Sequence, residues 1–276
     1  MPALEGSAHP QVLDLAAPAP RQFPLEVARD TFVIRAITHS VAETFTNLNS
    51  MVIRSAEPVV VDTGMGIHRE TWFEDVFSLV APAEVRWIFV THIDTDHAGN
   101  LVEAMARCPG AMMVTSQGES FRASASLGIP MERMRMVEAG ESFDVGDRVL
   151  SASRPPVYDS PYTRALHDPS TGVYYAADAF CAPMPEGVVD WSDDITAPLW
   201  ARGMASFHHH TVCPWIAMVD PARFRAEVDK VARLDPQVIV SAHAPPIGKA
   251  AVPRALEQLA SLPSTQPVPL EQSGAD

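Results

Sequence analysis

The chain has 276 residues, of which 47% are hydrophobic, which is enough to bury a sizeable core and excludes a disordered or fibrous class. Acidic residues outnumber basic ones by 34 to 20, and the formal net charge is −14. Nucleic acids and anionic membranes both attract basic patches, so neither is expected as a partner.

The three cysteines, Cys108, Cys181 and Cys213, are far apart in sequence and form no C-x-x-C pair. A disulfide framework is therefore not expected, and each thiol is interpreted as a small buried hydrophobic group. The N-terminus lacks the basic region and the apolar run of a signal peptide, and no apolar stretch has the length of a membrane span. These features favour a cytoplasmic protein.

The first half of the chain begins with β-branched runs that are separated by turn-forming residues, which is typical of strands. Apolar residues spaced three and four apart then predict a helix, and the run VRWIFVT predicts a strand that is buried on both faces. In chain order we predict strands 31–38, 49–55 and 58–64, helix 68–80, strand 85–91, helix 98–108, strand 111–116, helix 117–127 and strand 133–138.

The second half repeats the order of strands followed by helices. Asp220 and Pro221 are an N-cap and a first helical residue, so they predict where a helix begins. We predict strands 147–153, 163–168 and 172–178, a helix from 220 to 234, strand 237–243 and helix 250–261. Two similar halves predict an α/β sandwich of two sheets with helices outside. The expected division is an irregular leader 1–24, a single domain 25–261 and a flexible tail 262–276.

The segment THIDTDHAGN, residues 91–100, places His92, Asp94, Asp96 and His97 within six positions directly after the buried strand. Groups at strand ends are often catalytic because the rigid sheet holds them in place. Histidine together with carboxylate suits a transition metal, whereas all-oxygen sites suit calcium or magnesium. A polar turn with Asp96 as a helix cap is the alternative interpretation. Four ligand-type residues in so short a span favour a metal site.

This segment resembles the H-x-[H/E]-x-D-H-x-G motif of the metallo-β-lactamase superfamily. Three further segments resemble that family in the same chain order: VVVDTG with Asp62, LHDPSTGVYYAADAF with Asp178, and VIVSAHAPP with His243. The resemblance implies an αββα sandwich of two mixed sheets, with two metal ions at one edge and Asp178 bridging them.

Two ligand positions depart from the hydrolytic members of this superfamily. Asp94 stands where most of them have histidine, and matching DSPYTRALHDP to the family puts Asp159 in the place of another histidine. His167 is the alternative for that place, but its position within a strand favours a packed or exposed side chain. Flavodiiron proteins also have a carboxylate at the position of Asp94, so the chain most resembles their metal-binding core. The resemblance then implies that one metal is bound by His92, Asp94 and Asp159 and the other by Asp96, His97 and His243.

The charge of this ligand set bears on its chemistry. Three histidines and four aspartates place a formal charge of −4 around two metal ions, which fully neutralises two divalent ions. Bound water then loses much of the electrostatic effect that lowers its pKa, so the site generates hydroxide poorly. The same hard, anionic ligands suit iron. We therefore expect two iron ions, with zinc or manganese as alternatives, and Asp94 and Asp178 as the catalytic carboxylates.

The expected function is that of a di-iron oxidoreductase, which activates or reduces dioxygen, nitric oxide or peroxide, with or without oxidation of a small organic substrate. A hydrolase of a lactone, thioester or phosphoester is the main alternative, and a di-iron gas sensor is the third. Only 33 residues follow His243, so a flavodoxin-like domain and a bound flavin are not expected. Electrons are expected from a separate donor protein or from the substrate, and formation of a homodimer stays open.

Several histidines outside the motif are weaker candidates. The segment FHHHT contains His208, His209 and His210 and is predicted to lie in a loop before the helix at Asp220. These histidines either line the pocket or are unrelated polar side chains of the loop, and the second interpretation is favoured. His39 either faces the pocket or caps a turn. Asp193 and Asp194 predict the start of a helix, because acidic residues complement the helix dipole.

Overall fold

The computed structural model describes residues 19–40, 44–183 and 189–266. Most of the expected leader and most of the expected tail lie outside these ranges, so the division into leader, domain and tail stays a prediction. None of the helices in these ranges is long and apolar enough to cross a membrane.

Strands and helices follow one another through both halves of the described chain. The first half contains strands β1 (Leu25–Ala28), β2 (Thr31–Ile34), β3 (Ile37–His39), β4 (Phe45–Asn47), β5 (Ser50–Ile53), β6 (Val59–Val61), β7 (Trp87–Phe89), β8 (Met112–Thr115) and β9 (Met134–Met136). Its helices are α1 (Arg69–Leu79), α2 (Thr95–Ala98), α3 (Leu101–Arg107) and α4 (Gln117–Leu127). The second half contains strands β10 (Ser142–Asp144), β11 (Val149–Ser153), β12 (Ala165–Asp168), β13 (Val173–Tyr175), β14 (Val238–Val240) and β15 (Ile247–Gly248), and helices α5 (Ala197–Phe207), α6 (Pro221–Ala232) and α7 (Val252–Ser261).

Two mixed sheets form the centre of the molecule. Within the described ranges, the first is a 7-stranded sheet in the order β1-β2-β5-β6-β7-β8-β9, and the second is a 6-stranded sheet that runs from β10 to β15 in chain order. Strands β6 to β9 pair in parallel, whereas β1, β2 and β5 pair antiparallel. In the second sheet, β13 and β14 pair in parallel and the other neighbours are antiparallel. Strands β3 and β4 form a separate ribbon.

Side chains alternate between the two faces of each strand, so the apolar core has three parts. One part lies between the two sheets, and the other two lie between each sheet and its helices. In β6, Val59 and Val61 belong to the apolar core shared by the two sheets, whereas Val60 packs with residues of α1, α3 and α4. In β13, Tyr175 faces the shared core and Tyr174 packs with residues of α5, α6 and α7. The order of layers is therefore helices, sheet, sheet, helices. This arrangement confirms the expected αββα sandwich of two mixed sheets with helices outside.

Helix α4 has the bounds that the sequence predicts. The side chain of Ser116 accepts a hydrogen bond from the backbone N–H of Glu119 at its N-terminus, and Gly128 ends it in the left-handed conformation with φ 68°. Other elements differ from the prediction. The expected strand 31–38 is divided into β2 and β3. The expected helix 98–108 corresponds to α3, which begins only at Leu101, and the short α2 before it was not predicted.

Helix α5 begins later than the helix start that Asp193 and Asp194 predicted, and its extent was not predicted. Asp193 and Asp194 lie in a 3₁₀ turn, Ser192–Asp194, and α5 begins only at Ala197. The predicted loop at FHHHT was wrong, because His208–Val212 continue α5 as one wide π-helical turn. Trp200 and Met204 bury one face of α5 in the core that covers the second sheet. Tertiary packing therefore sets this helix more than local sequence signals do.

Candidate metal centre

The predicted site residues meet at one edge of the sandwich. The segment 91–97 follows β7 of the first sheet, whereas the other three residues come from the second sheet. Asp159 lies between β11 and β12, Asp178 follows β13, and His243 follows β14. Strand ends from both sheets therefore supply donor atoms to one place.

One donor group surrounds His92. Its Nε2 atom lies 3.6 Å from Asp159 Oδ1, 3.8 Å from Asp178 Oδ2 and 4.0 Å from Asp94 Oδ2. His92 is fully buried, whereas 43% of the Asp94 side chain and 37% of the Asp159 side chain are exposed. The potential ligand atoms of His92, Asp94 and Asp159 lie within 4.8 Å of one another, which is compatible with a single metal ion. We call this group the first metal position.

A second donor group lies beside the first. His243 Nε2 is 3.3 Å from both Asp96 Oδ2 and Asp178 Oδ1, and His97 Nε2 is 2.9 Å from Asp178 Oδ1 and 3.7 Å from Asp96 Oδ2. We call Asp96, His97 and His243 the second metal position. The two oxygens of Asp178 point in different directions, Oδ2 to His92 and Oδ1 to His97 and His243. Asp178 therefore has the arrangement that a bridging carboxylate needs.

Three buried polar atoms at this place have no hydrogen-bond partner, namely His92 Nε2, His97 Nε2 and Asp178 Oδ2. A buried polar atom without a partner costs free energy, so native proteins seldom leave one unsatisfied. All three atoms belong to the same donor cluster, where a cation would satisfy them. The residues present therefore fit a bound metal ion.

Hydrogen bonds behind the histidines fix which ring nitrogen faces the site. His97 Nδ1 lies 2.9 Å from Asp62 Oδ2, and His243 Nδ1 donates to the Asn47 carbonyl oxygen at 3.0 Å. The carbonyl can only accept, so the Nε2 atom of neutral His243 carries the free lone pair. His92 Nδ1 lies 3.1 Å from the hydroxyl of Thr91. Such outer contacts orient metal-binding histidines.

Asp62 is the buried centre of this supporting network. Its carboxylate accepts hydrogen bonds from the Thr91 N–H at 2.8 Å and from the Tyr175 hydroxyl at 3.1 Å, besides its contact with His97. The backbone of Asp62 is left-handed, with φ 55°. Few residues other than glycine, asparagine and aspartate adopt this conformation readily. The turn after β6 thus aims the carboxylate at His97.

Close backbone packing joins the Asp62 turn to the motif segment. A Cβ atom on Gly99 would lie 2.4 Å from the Thr95 carbonyl oxygen, 2.5 Å from Gly66 N and 2.8 Å from the Gly64 carbonyl oxygen. The Gly99 N–H donates to that Gly64 oxygen at 2.9 Å, so it is not available for a continuous helix between α2 and α3. Only glycine allows this approach.

Mutual electrostatics shift the protonation of the cluster. Burial disfavours the charged form of His97, but the carboxylates of Asp178, Asp96 and Asp62 raise its pKa well above the usual value. For His243, burial is again outweighed by hydrogen bonds with Asp178 and Asp96, which raise its pKa to about 9. Burial and the nearby Asp178 raise the pKa of Asp159. Without metal, the cluster therefore holds protons that a metal ion has to displace.

A cavity of about 240 Å³ opens beside these donors. Asp96, Asp159, Asp178 and His243 form one wall. The other lining residues comprise hydroxyl side chains, apolar side chains and one histidine: Thr38, Ser40, Thr46, Thr95, Thr211, Leu48, Met65, Phe207, Val212 and His39. A water molecule occupies about 30 Å³ in the liquid, so the cavity admits more than a diatomic oxidant.

The remaining predicted histidines belong to neither donor group. His208 is buried, with Nδ1 2.7 Å from the Met204 carbonyl oxygen and Cys181 Sγ 3.5 Å from its ring, and burial lowers its pKa to about 4. His209 is buried against the Leu262 carbonyl oxygen, and His210 is exposed. None of the three is among the described residues that line the cavity. His167 lies buried in β12, as the strand pattern suggested.

The sequence contains no pattern that predicts the contact of two residues of α4 with the site. Glu119 and Arg122 on α4 lie within hydrogen-bonding distance of the segments that carry Asp94 and Asp159. The S-x-x-E pattern at 116–119 predicts a helix N-terminus and nothing beyond it. Only the packing of α4 against both segments reveals this contact.

An αββα sandwich with His and Asp side chains gathered at one edge defines the metallo-β-lactamase fold class. The family model described as ODP family beta lactamase matches residues 45–244, which is more than half of the chain. The chain belongs to this family. Its predicted resemblance to the flavodiiron metal-binding core is thereby confirmed at the level of family and fold.

Curated relatives are longer proteins. Diflavin flavoprotein A 2 of Nostoc sp. is 28% identical over 137 residues, which cover 49% of this chain and 23% of that protein. The anaerobic nitric oxide reductase flavorubredoxin of Aeromonas hydrophila is 25% identical over 136 residues, 49% of this chain and 28% of that protein. The chain thus matches about a quarter of the length of these relatives.

Solved structures share the fold at low sequence identity. Rubredoxin oxygen:oxidoreductase from Desulfovibrio gigas aligns with a TM-score of 0.76 and 16% identity, over 89% of this chain and 62% of that chain. The flavodiiron protein from Giardia intestinalis aligns with a TM-score of 0.77 and 15% identity, over 89% and 60%. This likeness supports the αββα architecture found here.

Proposed function

We propose that the chain is an oxidoreductase that binds two iron ions and reduces or activates a small oxidant, such as dioxygen or nitric oxide. In this proposal His92, Asp94 and Asp159 bind one ion, Asp96, His97 and His243 bind the other, and Asp178 bridges them. The observation that carries the proposal is the composition of the first metal position, in which two carboxylates accompany a single histidine. Sites that combine imidazole with carboxylate are typical of non-haem iron, whereas thiolate sites favour zinc, copper(I) or iron–sulfur clusters.

The side chains have separate tasks in this proposal. Iron bound there supplies one-electron redox chemistry. Asp178, with its two oxygens directed to different donor groups, sets the spacing of the two positions. Asp62 holds His97 with Nε2 toward the site. The cavity admits the oxidant, and its hydroxyl side chains offer hydrogen bonds to it.

The relatives support the reaction class. One of them is named as a nitric oxide reductase and another as an oxygen oxidoreductase, and both names describe reduction of a small oxidant. For this chain, we propose that electrons come from a separate donor protein or from an organic substrate in the cavity. Assembly as a homodimer is a further part of the proposal.

Metal content and spectroscopy test this function. Protein expressed with added iron is analysed by mass spectrometry for metal, and absorption spectra are recorded as purified, after reduction and after exposure to air. We expect two iron ions per chain and bands that disappear on reduction and return with dioxygen. A protein with two zinc ions that is inert to dioxygen would contradict the proposal. Asp178→Asn should lose iron, whereas Asp229→Asn, the same change at an exposed position of α6, should not.

The same preparations distinguish the proposed oxidoreductase from the alternative, a hydrolase. A hydrolase turns over simple lactones and thioesters when loaded with zinc, and this turnover is lost in Asp178→Asn. We expect no such turnover with either metal, because the anionic donors reduce the acidity of bound water. A gas sensor, by contrast, would bind dioxygen reversibly without consuming reducing equivalents.

A further inference from the structure

Two charged residues of α4 contact both segments that supply the first metal position. Glu119 and Arg122 are three positions apart, so they lie on the same face of the helix. The side chains form an ion pair, with Arg122 Nη1 2.8 Å from Glu119 Oε1. One segment in contact with them carries His92 and Asp94, and the other carries Asp159.

Glu119 is a fully buried carboxylate that connects these segments. Its Oε2 accepts a hydrogen bond from the backbone N–H of Ile93 at 3.2 Å, and Ile93 lies between His92 and Asp94. Its Oε1 accepts a hydrogen bond from Ser160 Oγ at 2.7 Å, and Ser160 directly follows Asp159. A buried carboxylate needs such partners, because an unpaired one is costly. Glu119 thus fixes the distance between the two segments.

Arg122 makes the corresponding contacts nearer the surface. Besides Glu119, its guanidinium lies 3.2 Å from Ser160 Oγ and 3.5 Å from Asp94 Oδ1. The other oxygen of Asp94, Oδ2, faces His92 Nε2. One Asp94 oxygen is therefore directed to the arginine while the second is directed to the metal position.

An isolated exposed ion pair at 3.5 Å contributes little, because solvent screens it and side-chain entropy opposes it. Arg122 differs from such a pair, since the buried Glu119 anchors its guanidinium before Asp94 is engaged. The rigid planar fork of arginine spreads its N–H donors so that they can reach Glu119, Ser160 and Asp94 together, whereas the compact ammonium group of lysine has no such fixed fork.

We propose that Arg122, anchored by Glu119, is a positioning residue that holds Asp94 with one oxygen free to bind metal and thereby sets the metal affinity of the first position. This role rests on the two-metal site proposed above, but not on the reaction. It also gives a reason why the short side chain of aspartate suffices at position 94, because the arginine fixes its orientation from outside.

Zinc binding tests the role without any redox chemistry. Zn²⁺ is titrated into the metal-free full-length protein in competition with a chromophoric chelator, for wild type, Arg122→Ala and Arg122→Lys. Loss of an outer contact to a metal ligand typically weakens metal binding about 10–100-fold. We expect that loss for one of the two zinc ions in Arg122→Ala, a smaller loss in Arg122→Lys, and no change for the other zinc. The matched control is Arg225→Ala, which removes an exposed ion pair with Glu257.

A double-mutant comparison separates positioning from a general effect on folding. If Arg122 acts through Asp94, adding Arg122→Ala to Asp94→Asn should cause no further loss of affinity. The proposal would be overturned if the losses of zinc affinity add in the double variant. It would also be overturned if Arg122→Ala keeps the wild-type affinity for both ions. Arg122→Gln serves in the same way if the alanine variant does not fold, which circular dichroism of the metal-free protein reveals. Wild-type protein that binds fewer than two zinc ions would instead overturn the two-metal site itself.

Discussion

At the scale of single residues, the site depends on carboxylates that do not all face the metal positions. Asp62 is fully buried and adopts a left-handed backbone so that it reaches His97. Asp94 and Asp159 are partly exposed, and residues of α4 contact Asp94 and Ser160, which directly follows Asp159. The donor atoms therefore owe their geometry to side chains that lie outside the donor groups.

Replacing Asp62 with asparagine tests this dependence. Asparagine tolerates the left-handed backbone but lacks the negative charge that supports His97. We expect metal affinity at the second position to fall about 10–100-fold, measured by chelator competition. Asp30→Asn is the matched control, because Asp30 also has a left-handed backbone, with φ 56°, but its side chain lies beside the exposed Arg54. Equal affinities in the two variants would show that Asp62 does not support the metal.

The protonation of His97 and His243 makes stability depend on pH in the metal-free protein. Their pKa values are raised in the folded state, that of His243 to about 9. The stabilisation is fully present below the unfolded pKa of about 6.5 and is lost as pH rises through the folded value. Metal displaces these protons, so its stabilising effect should grow across the same window.

Thermal unfolding with chelator or with metal measures this effect at pH 7, 8 and 9. We expect the difference in Tm between the two preparations to widen as pH rises. His243→Gln should reduce this widening, whereas His210→Gln, at an exposed position, should leave it unchanged. A constant difference in Tm from pH 7 to 9 would show that metal does not displace protons from His97 and His243.

Most donor residues could be predicted from sequence because the motif places four of them within six positions and the family order supplies the rest. His167 lies in β12, where a mid-strand side chain alternates into the packed faces of the sheet. Glu119 and Arg122 could not be predicted. The contacts of Glu119 with Ile93 and Ser160 link positions 26 and 41 residues apart along the chain, and nothing in local sequence encodes that proximity.

At the scale of elements, turns and backbone contacts position the site residues as much as helices and strands do. Helix α4 was predicted at its observed bounds because Ser116 and Gly128 give clear signals at its ends. The start of α3 at Leu101 rather than at residue 98 was missed, since it comes from contact between Gly99 and the Gly64 turn rather than from a local sequence signal. The continuation of α5 through His208–Val212 was missed because tertiary packing, rather than a local sequence signal, sets this helix.

Gly99→Ala tests the contact between these two elements. The added Cβ would meet backbone atoms of Thr95, Gly66 and Gly64, all closer than 3 Å, and backbone cannot move aside cheaply. We expect the free energy of unfolding to fall by about 1–3 kcal/mol, as in other overpacked sites, together with weaker metal binding. Urea denaturation gives the first quantity and chelator competition the second. Gly110→Ala is the control, because a Cβ there meets nothing within 4 Å; similar results for both variants would exclude this contact as the cause.

At the scale of the whole molecule, the two sheets share one apolar core and one site. Phe89 of β7 and Phe143 of β10 stack across the sheets with centroids 6.2 Å apart. The overall sandwich was predictable because long β-branched runs and the family motifs occur in both halves. Short edge strands such as β1, β10 and β15 were not predictable, because sheet pairing rather than their own sequence defines them.

Phe143→Ala tests how tightly the sheets are coupled. Removing a fully buried aromatic ring typically costs about 3–5 kcal/mol of unfolding free energy. We expect that loss in urea denaturation, and a single transition for both sheets because they share this core. Phe121→Ala, at an exposed position, should change stability by less than about 0.5 kcal/mol. Two separate transitions in the wild-type protein would mean that the sheets unfold independently.

The supply of donor atoms from both sheets has a kinetic consequence. Neither sheet alone can complete a metal position together with Asp178, so tight binding has to wait until the sheets have docked. Metal added during refolding therefore reports the order of events. If the folding rate constant rises with metal concentration, docking precedes the rate-limiting barrier; if only the unfolding rate constant falls, docking follows it.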